Sequence, residues 1–128
     1  MIIGGIGCRR GASATEIAAA IDAACREAGV AKDRIEAIAT SAHKDHEHGI
    51  ADAAAALGVP LILVGESELR AASARATTRS DRVLALTGVA SVAEAAALAA
   101  GGPSANLLAA RSAVGAATCA LVEAERAS

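Results

Sequence analysis

The sequence predicts an α/β domain of three layers, α/β/α, around a mostly parallel sheet that a closing hairpin makes mixed. Three observations carry that reading. Short aliphatic runs at 1–7, 34–40, 60–64 and 83–86 alternate with stretches of helical period. Glycine-containing turns follow several of those runs, as at 5–11, 65 and 88. Two of the turns lead into Ser-x-x-Glu, in which serine and glutamate side chains reciprocally satisfy the first N–H groups of a helix. At 128 residues the chain is expected to be one domain, 1–128, long enough for a single core.

Met1–Gly7, with Ile2, Ile3 and Ile6, reads as a buried strand entering a glycine turn. Ser13-Ala-Thr-Glu16 opens a helix whose inward face carries Ile17, Ile21, Ala24, Cys25 and Ala28, and Gly29 stops it. Arg34–Thr40 is a second strand, followed by the polar string SAHKDHEHG. Asp45 is placed to cap a helix over 46–57, with Ile50, Ala53, Ala54 and Leu57 on one face and Gly58 after it. Pro60–Val64 is a third strand, and a short helix is expected near Ser67–Arg75. Residues 76–82 read as a polar linker and Val83–Leu86 as a strand. Ser91-x-x-Glu94 then starts a helix that Gly101-Gly102-Pro103 breaks. Asn106–Ala110 and Ala116–Glu123 read as final strands, with 111–115 as the turn between them and ERAS as a frayed tail.

Composition excludes several functions. The chain has no Phe, Tyr or Trp, so its core is built from Ala, Val, Ile and Leu, and no ring is available to stack single-stranded bases. Twelve basic and fourteen acidic residues give a net charge of −2, which offers no basic field to DNA or RNA. Three separated cysteines without a C-x-x-C pair point to a reduced, cytoplasmic protein. Arg9-Arg10 is not an export signal, since Glu16 and Asp22 interrupt the segment after it, and no run of about eighteen apolar residues predicts a membrane span.

Ligands of parallel α/β sheets gather at the carboxyl ends of the strands. That rule brings together GIGCRRG at 5–11, the residues after Thr40, the Gly65 turn and Gly88–Ser91. GIGCRRG is a poor dinucleotide fingerprint. Its third glycine comes one residue late, and the second strand ends in Thr40 rather than an acid. A P-loop lacks its G-K-[ST]. An anion seat fits better: N–H groups at the helix start carry partial positive charge, and Arg9 and Arg10 add bidentate donors suited to carboxylates. The plainer reading is a structural turn with two solvated arginines. Cys8 beside those arginines is a candidate nucleophile or, more plainly, a small buried residue. His43, His46 and His48 invite a metal, but the string is neither H-E-x-x-H nor H-x-x-E-H, so no metal is assigned; it reads as a polar loop able to meet an anion or move a proton near neutral pH.

GIGCRRG, the capped helix, Lys44-x-x-Glu47-x-Gly49, PLILVGESEL, GVASVAEAAAL and Ser112-x-x-Gly115-x-x-Thr118-Cys-Ala-Leu121 occur in the order that resembles the CobE/CbiG C-terminal family of cobalamin (vitamin B12) biosynthesis. The resemblance spans almost the whole chain. It departs from the family's habit in Lys44-Asp-His-Glu47 and in Leu108-Ala-Ala-Arg111-Ser112, which carries fewer basic residues than usual. Larger members of the family open a lactone on a cobalt-precorrin and release acetaldehyde, and carry this domain behind others. The chain has no room for those domains and is similar to the stand-alone members, so whether it catalyses a reaction is left open.

The resemblance implies a corrinoid or precorrin ligand, a flat macrocycle edged with acetate and propionate groups. Its expected contacts are Gly5, Gly7, Cys8, Arg9, Arg10, Gly11, Lys44, Glu47, Gly88, Val89, Ser91, Arg111 and Ser112. If the protein is instead a small hydrolase acting on such an intermediate, Cys8, His43, His46 and Glu47 are the catalytic candidates. A third reading is a metal-binding module using the 43–48 loop. No resident cofactor is expected. Other cobalamin-pathway enzymes and a second copy of the chain are the expected protein partners.

Overall fold

The computed structural model describes residues 1–8, 11–42, 48–73 and 92–124, with backbone only at 110 and 111. In chain order the elements are β1 (Ile2–Cys8), α1 (Ala14–Ala28), a 3₁₀ turn (Lys32–Arg34), β2 (Ile35–Ser41), α2 (His48–Leu57), β3 (Leu61–Val64), α3 (Glu66–Ser73), α4 (Val92–Gly101), β4 (Asn106–Val114) and β5 (Ala117–Glu123). The described strands form one sheet of order β3-β2-β1-β5-β4. β1, β2 and β3 run parallel, while β5 is antiparallel to both β1 and β4. The sheet is therefore mixed, closed on one side by the β4–β5 hairpin. The expected linker at 76–82, the strand at 83–86, the Asp45 cap, the Ser91 half of the second capping box and the 125–128 tail lie outside the described residues.

Two cores flank the sheet. Ile6, Ile38 and Leu121 pack against Ile17 and Ile21 of α1 and Ile50 of α2. On the opposite face Ile3, Ala39 and Val122 meet Leu69 of α3 and Ala95, Ala96 and Leu98 of α4. The alternation along β1 follows the strand period of two. Ile2, Gly4 and Ile6 face the α1/α2 side; Ile3, Gly5 and Gly7 face α4.

That second face explains two of the opening glycines. A Cβ on Gly5 would collide with the Ala93 carbonyl oxygen and stand 2.8 Å from both Ala97 N and Ala97 Cβ. A Cβ on Gly7 would lie 2.8 Å from the Thr118 hydroxyl and 3.5 Å from Ala93 N. The glycines form a bare track on which the backbone of α4 rests. Residues 93–98 of α4 are all buried, a consequence of small side chains on both sides of the contact.

α1 forms as its sequence predicts. The Glu16 N–H donates to Ser13 Oγ at 3.1 Å, and the Ser13 N–H donates to Glu16 Oε1 at 3.1 Å. Gly29 ends the helix in the left-handed region at φ 70°. One expectation is corrected: 111–115 is not a turn. β4 continues through Val114, and the turn is Gly115-Ala116 alone. Irregular register between Leu107 and Ala109 and again between Ala109 and Ser112 lets β4 keep pairing with β5. Among the described residues β4 is an edge strand, and an edge strand tolerates such bulges and polar residues because one of its sides has no sheet neighbour to match.

Candidate functional site

β1 ends where its two neighbours part company. Its last registered pair with β2 is Gly5–Ala39, whereas its pairing with β5 continues to Cys8–Ala117. Threonine side chains add donors to the carbonyls at this end. Thr40, fully buried, donates its hydroxyl to the Ile6 carbonyl at 2.8 Å, and Thr118 donates to the Gly7 carbonyl at 3.1 Å. Thr40→Val keeps the shape and removes the donor, leaving a buried carbonyl without that partner. It is expected to cost about 1–2 kcal/mol in urea unfolding. A change below roughly 0.3 kcal/mol would show that the Ile6 carbonyl finds another donor.

Three helix starts gather around this strand end. α1 begins after Gly11, which is exposed, has φ +80° and is open to solvent on its Cβ side. α2 is drawn against α1 by Gly49: a Cβ there would stand 2.6 Å from the Ala12 carbonyl oxygen and 3.2 Å from Ala14 N. α4 starts over Gly7, with Val92 and Ala93 nearest to it. Helix N-termini in general present N–H groups without intrahelical partners and carry partial positive charge.

The β4–β5 turn closes one side. Glu16 Oε2 accepts the Ala116 N–H at 2.8 Å, across 100 residues of sequence. Gly115, at φ +57°, lies so close under that carboxylate that a Cβ would strike Glu16 Oε2. The hydrogen bond from Ala116, and then that from the Ser13 N–H, hold the Glu16 carboxyl below its ordinary value.

The predicted residues are distributed unevenly. Gly5 is buried under α4, Gly7 lies under Thr118 and the start of α4, and Gly11 is exposed at the start of α1. Cys8 is half-buried at the end of β1, against the α1/α2 core, and is not in a disulfide. Ser112 is half-buried on the edge strand opposite Cys119, which itself pairs with Ile6, so β5 lies between Ser112 and β1. Arg111 is placed, by backbone alone, in the irregular stretch of β4. Arg9, Arg10, His43, Lys44, His46, Glu47, Gly88, Val89 and Ser91 lie outside the described residues. His48 is exposed at the first position of α2. Among the described residues no group of three or more His, Cys, Asp or Glu is arranged to hold a metal, and no helix is long and apolar enough to cross a membrane.

Four residues of this region were not in the expected contact set. Thr40 and Thr118 are ordinary strand residues by sequence, and Glu16 carries only the local signal of a capping box. Glu94, in the first turn of α4, is fully buried. A carboxylate inside an otherwise apolar stretch, VAEAAALAA, is the sequence signal that could have marked it. The other two cysteines are poor nucleophile candidates. Burial pushes the Cys119 thiol strongly upward, and burial together with Asp22 raises that of Cys25 against the opposing pull of Lys32. Two surface hollows lie away from the strand end. One of about 290 Å³ runs between α1 and α2 past Ala18, Lys32 and Ala56, and one of about 400 Å³ lies between α3 and α4.

Comparison with known proteins agrees with this architecture. The family model described as "Cobalamin synthesis G C-terminus" matches residues 2–122. Protein CobE of Sinorhizobium sp is 35% identical over 104 residues, covering 81% of this chain and 68% of the relative. The crystal structure of CobE, a protein from the cobalamin (vitamin B12) biosynthetic pathway, superimposes with a TM-score of 0.88 at 34% identity, covering 95% of this chain and 92% of that one. The cobalamin biosynthesis protein chiG from Agrobacterium tumefaciens gives 0.77 at 37% identity, covering 98% and 100%. The chain thus belongs to the CobE/CbiG C-terminal family and is a cobalamin biosynthesis protein.

Proposed function

We propose that the protein binds a carboxylate-rich corrin precursor at the carboxyl end of β1. The observation that carries this reading is that the α4 start lies at Gly7 while the α1 and α2 starts meet at Ala12 and Ala14. Each start contributes N–H groups and partial positive charge, a match for acetate and propionate groups spaced around a macrocycle rim. Arg9 and Arg10, next to Gly11 in sequence, supply bidentate donors to the same carboxylates, and Lys44 supplies a further cation. With no aromatic ring in the chain, the macrocycle face is covered by aliphatic side chains.

The test is a titration of the protein with hydrogenobyrinic acid, a corrinoid with free carboxylates, followed by visible absorbance and by co-elution on gel filtration. Protein side chains do not absorb visible light, so the visible signal belongs to the ligand alone. A shifted spectrum with stoichiometric co-elution is the expected result. Failure to bind both this corrinoid and earlier precorrins would reject the proposal. A spectrum that continues to change after equilibration would reveal turnover, and would turn attention to Cys8 as a reacting group.

A further inference from the structure

We infer that Glu16 is a positioning residue for this site: by gripping the Ala116 N–H it fixes the β4–β5 turn against the start of α1 and so sets the shape of the seat. The inference rests on the corrinoid reading above. Beside the β1–β5 ladder, which runs to Cys8–Ala117, side-chain hydrogen bonds tie the hairpin to this region, Thr118 to the Gly7 carbonyl and Ala116 to Glu16. The first acts within the sheet. The second joins the turn to a helix start. Glu16 uses both carboxylate oxygens, Oε2 for Ala116 and Oε1 for the Ser13 N–H at 3.1 Å and the Ser13 hydroxyl at 3.3 Å. Gly115 has no side chain to separate the turn from that carboxylate. A negative group beside an anion seat opposes the ligand by charge, and the cap with Ser13 accounts for Oε1 only, so the Oε2 contact calls for a reason of its own. Holding a turn in place is such a reason: a seat that must meet several carboxylates at once loses affinity when one wall moves.

Charge and grip can be separated. Glu16→Ala and Glu16→Gln remove the same negative charge, but glutamine keeps an oxygen that can accept the Ala116 N–H. Each variant is titrated with hydrogenobyrinic acid well below its unfolding midpoint, beside Ile21→Val, a core change on α1 that lowers stability without touching the turn. Expected is a Kd raised roughly 10-fold in Glu16→Ala, within about 3-fold of wild type in Glu16→Gln, and unchanged in Ile21→Val. The glutamine variant keeps the half of the cap in which the backbone N–H of position 16 donates to Ser13 Oγ, and serves the comparison should the alanine variant not fold. Its amide exchange at Ala116 should then stay close to wild type, and a freely exchanging Ala116 with unaltered affinity would overturn the inference. Equal affinities for the alanine and glutamine variants would also overturn it, while leaving the corrinoid reading intact. If wild-type protein binds no corrinoid, the corrinoid reading fails and this inference falls with it.

Discussion

Replacing Gly5 by alanine is expected to lower the free energy of unfolding by about 3 kcal/mol or more, the upper range for overpacking a core. The added methyl points at α4, not at a side chain that can swing away. It meets the Ala93 carbonyl oxygen and approaches Ala97 N and Ala97 Cβ to 2.8 Å. Backbone atoms of a helix cannot rotate aside, so α4 must lift from the sheet along its buried length, 93–98. Gly4→Ala is the matching control on the other face of the same strand. Its methyl would meet Ile38 Cδ1 at 3.2 Å, the far end of a flexible side chain, and should cost about 1 kcal/mol. Urea unfolding of both variants reads the difference. Equal losses for the two would refute the account of Gly5 as the rest for α4.

The Arg9→Ala, Arg10→Ala double variant is expected to lose roughly 100-fold or more in affinity for hydrogenobyrinic acid. Each lost charge-assisted contact costs about 1.5–3 kcal/mol. Wild-type binding should also weaken as salt is raised, because an arginine–carboxylate contact open to solvent is screened, and the double variant should show a flatter salt dependence. An affinity within about twofold of wild type at low salt would remove both arginines from the seat and leave the helix starts and Lys44 as its donors.

Local signals were legible in the sequence and long-range ones were not. The Ser13–Glu16 box, the Gly29 stop and the buried faces of β1 and α1 follow from spacing alone, because each is decided within a few residues. The parallel β1-β2-β3 half and the closing hairpin follow from the order of elements. What spacing cannot say is what lies against a glycine. Gly5 and Gly7 invite close approach, and a ligand and a helix ask for the same residue. The structure puts α4 over both, while Gly11 keeps its Cβ side open. Arg111-Ser112 reads as a turn because polar residues break an apolar run, yet bulges on an edge strand accommodate them. Glu16 had a complete local explanation in its cap, and its second partner stands 100 residues away, beyond any pattern of spacing.

The placement of β1 between β2 and β5 also bears on how the chain comes to be folded. One neighbour of the central strand is translated soon after it, and the other spans Ala117–Glu123, with Ile2 finally paired to Glu123. While synthesis proceeds, β1, β2 and β3 can assemble with α1 and α2, but one edge of an apolar strand stays unpaired until the hairpin emerges. Such an edge recruits other nascent chains as readily as its own last strand. Closing it joins residues more than a hundred positions apart, a slow step for a chain of this size. A ribosome stalled before the hairpin therefore holds a chain whose central apolar strand still has one edge open to aggregation.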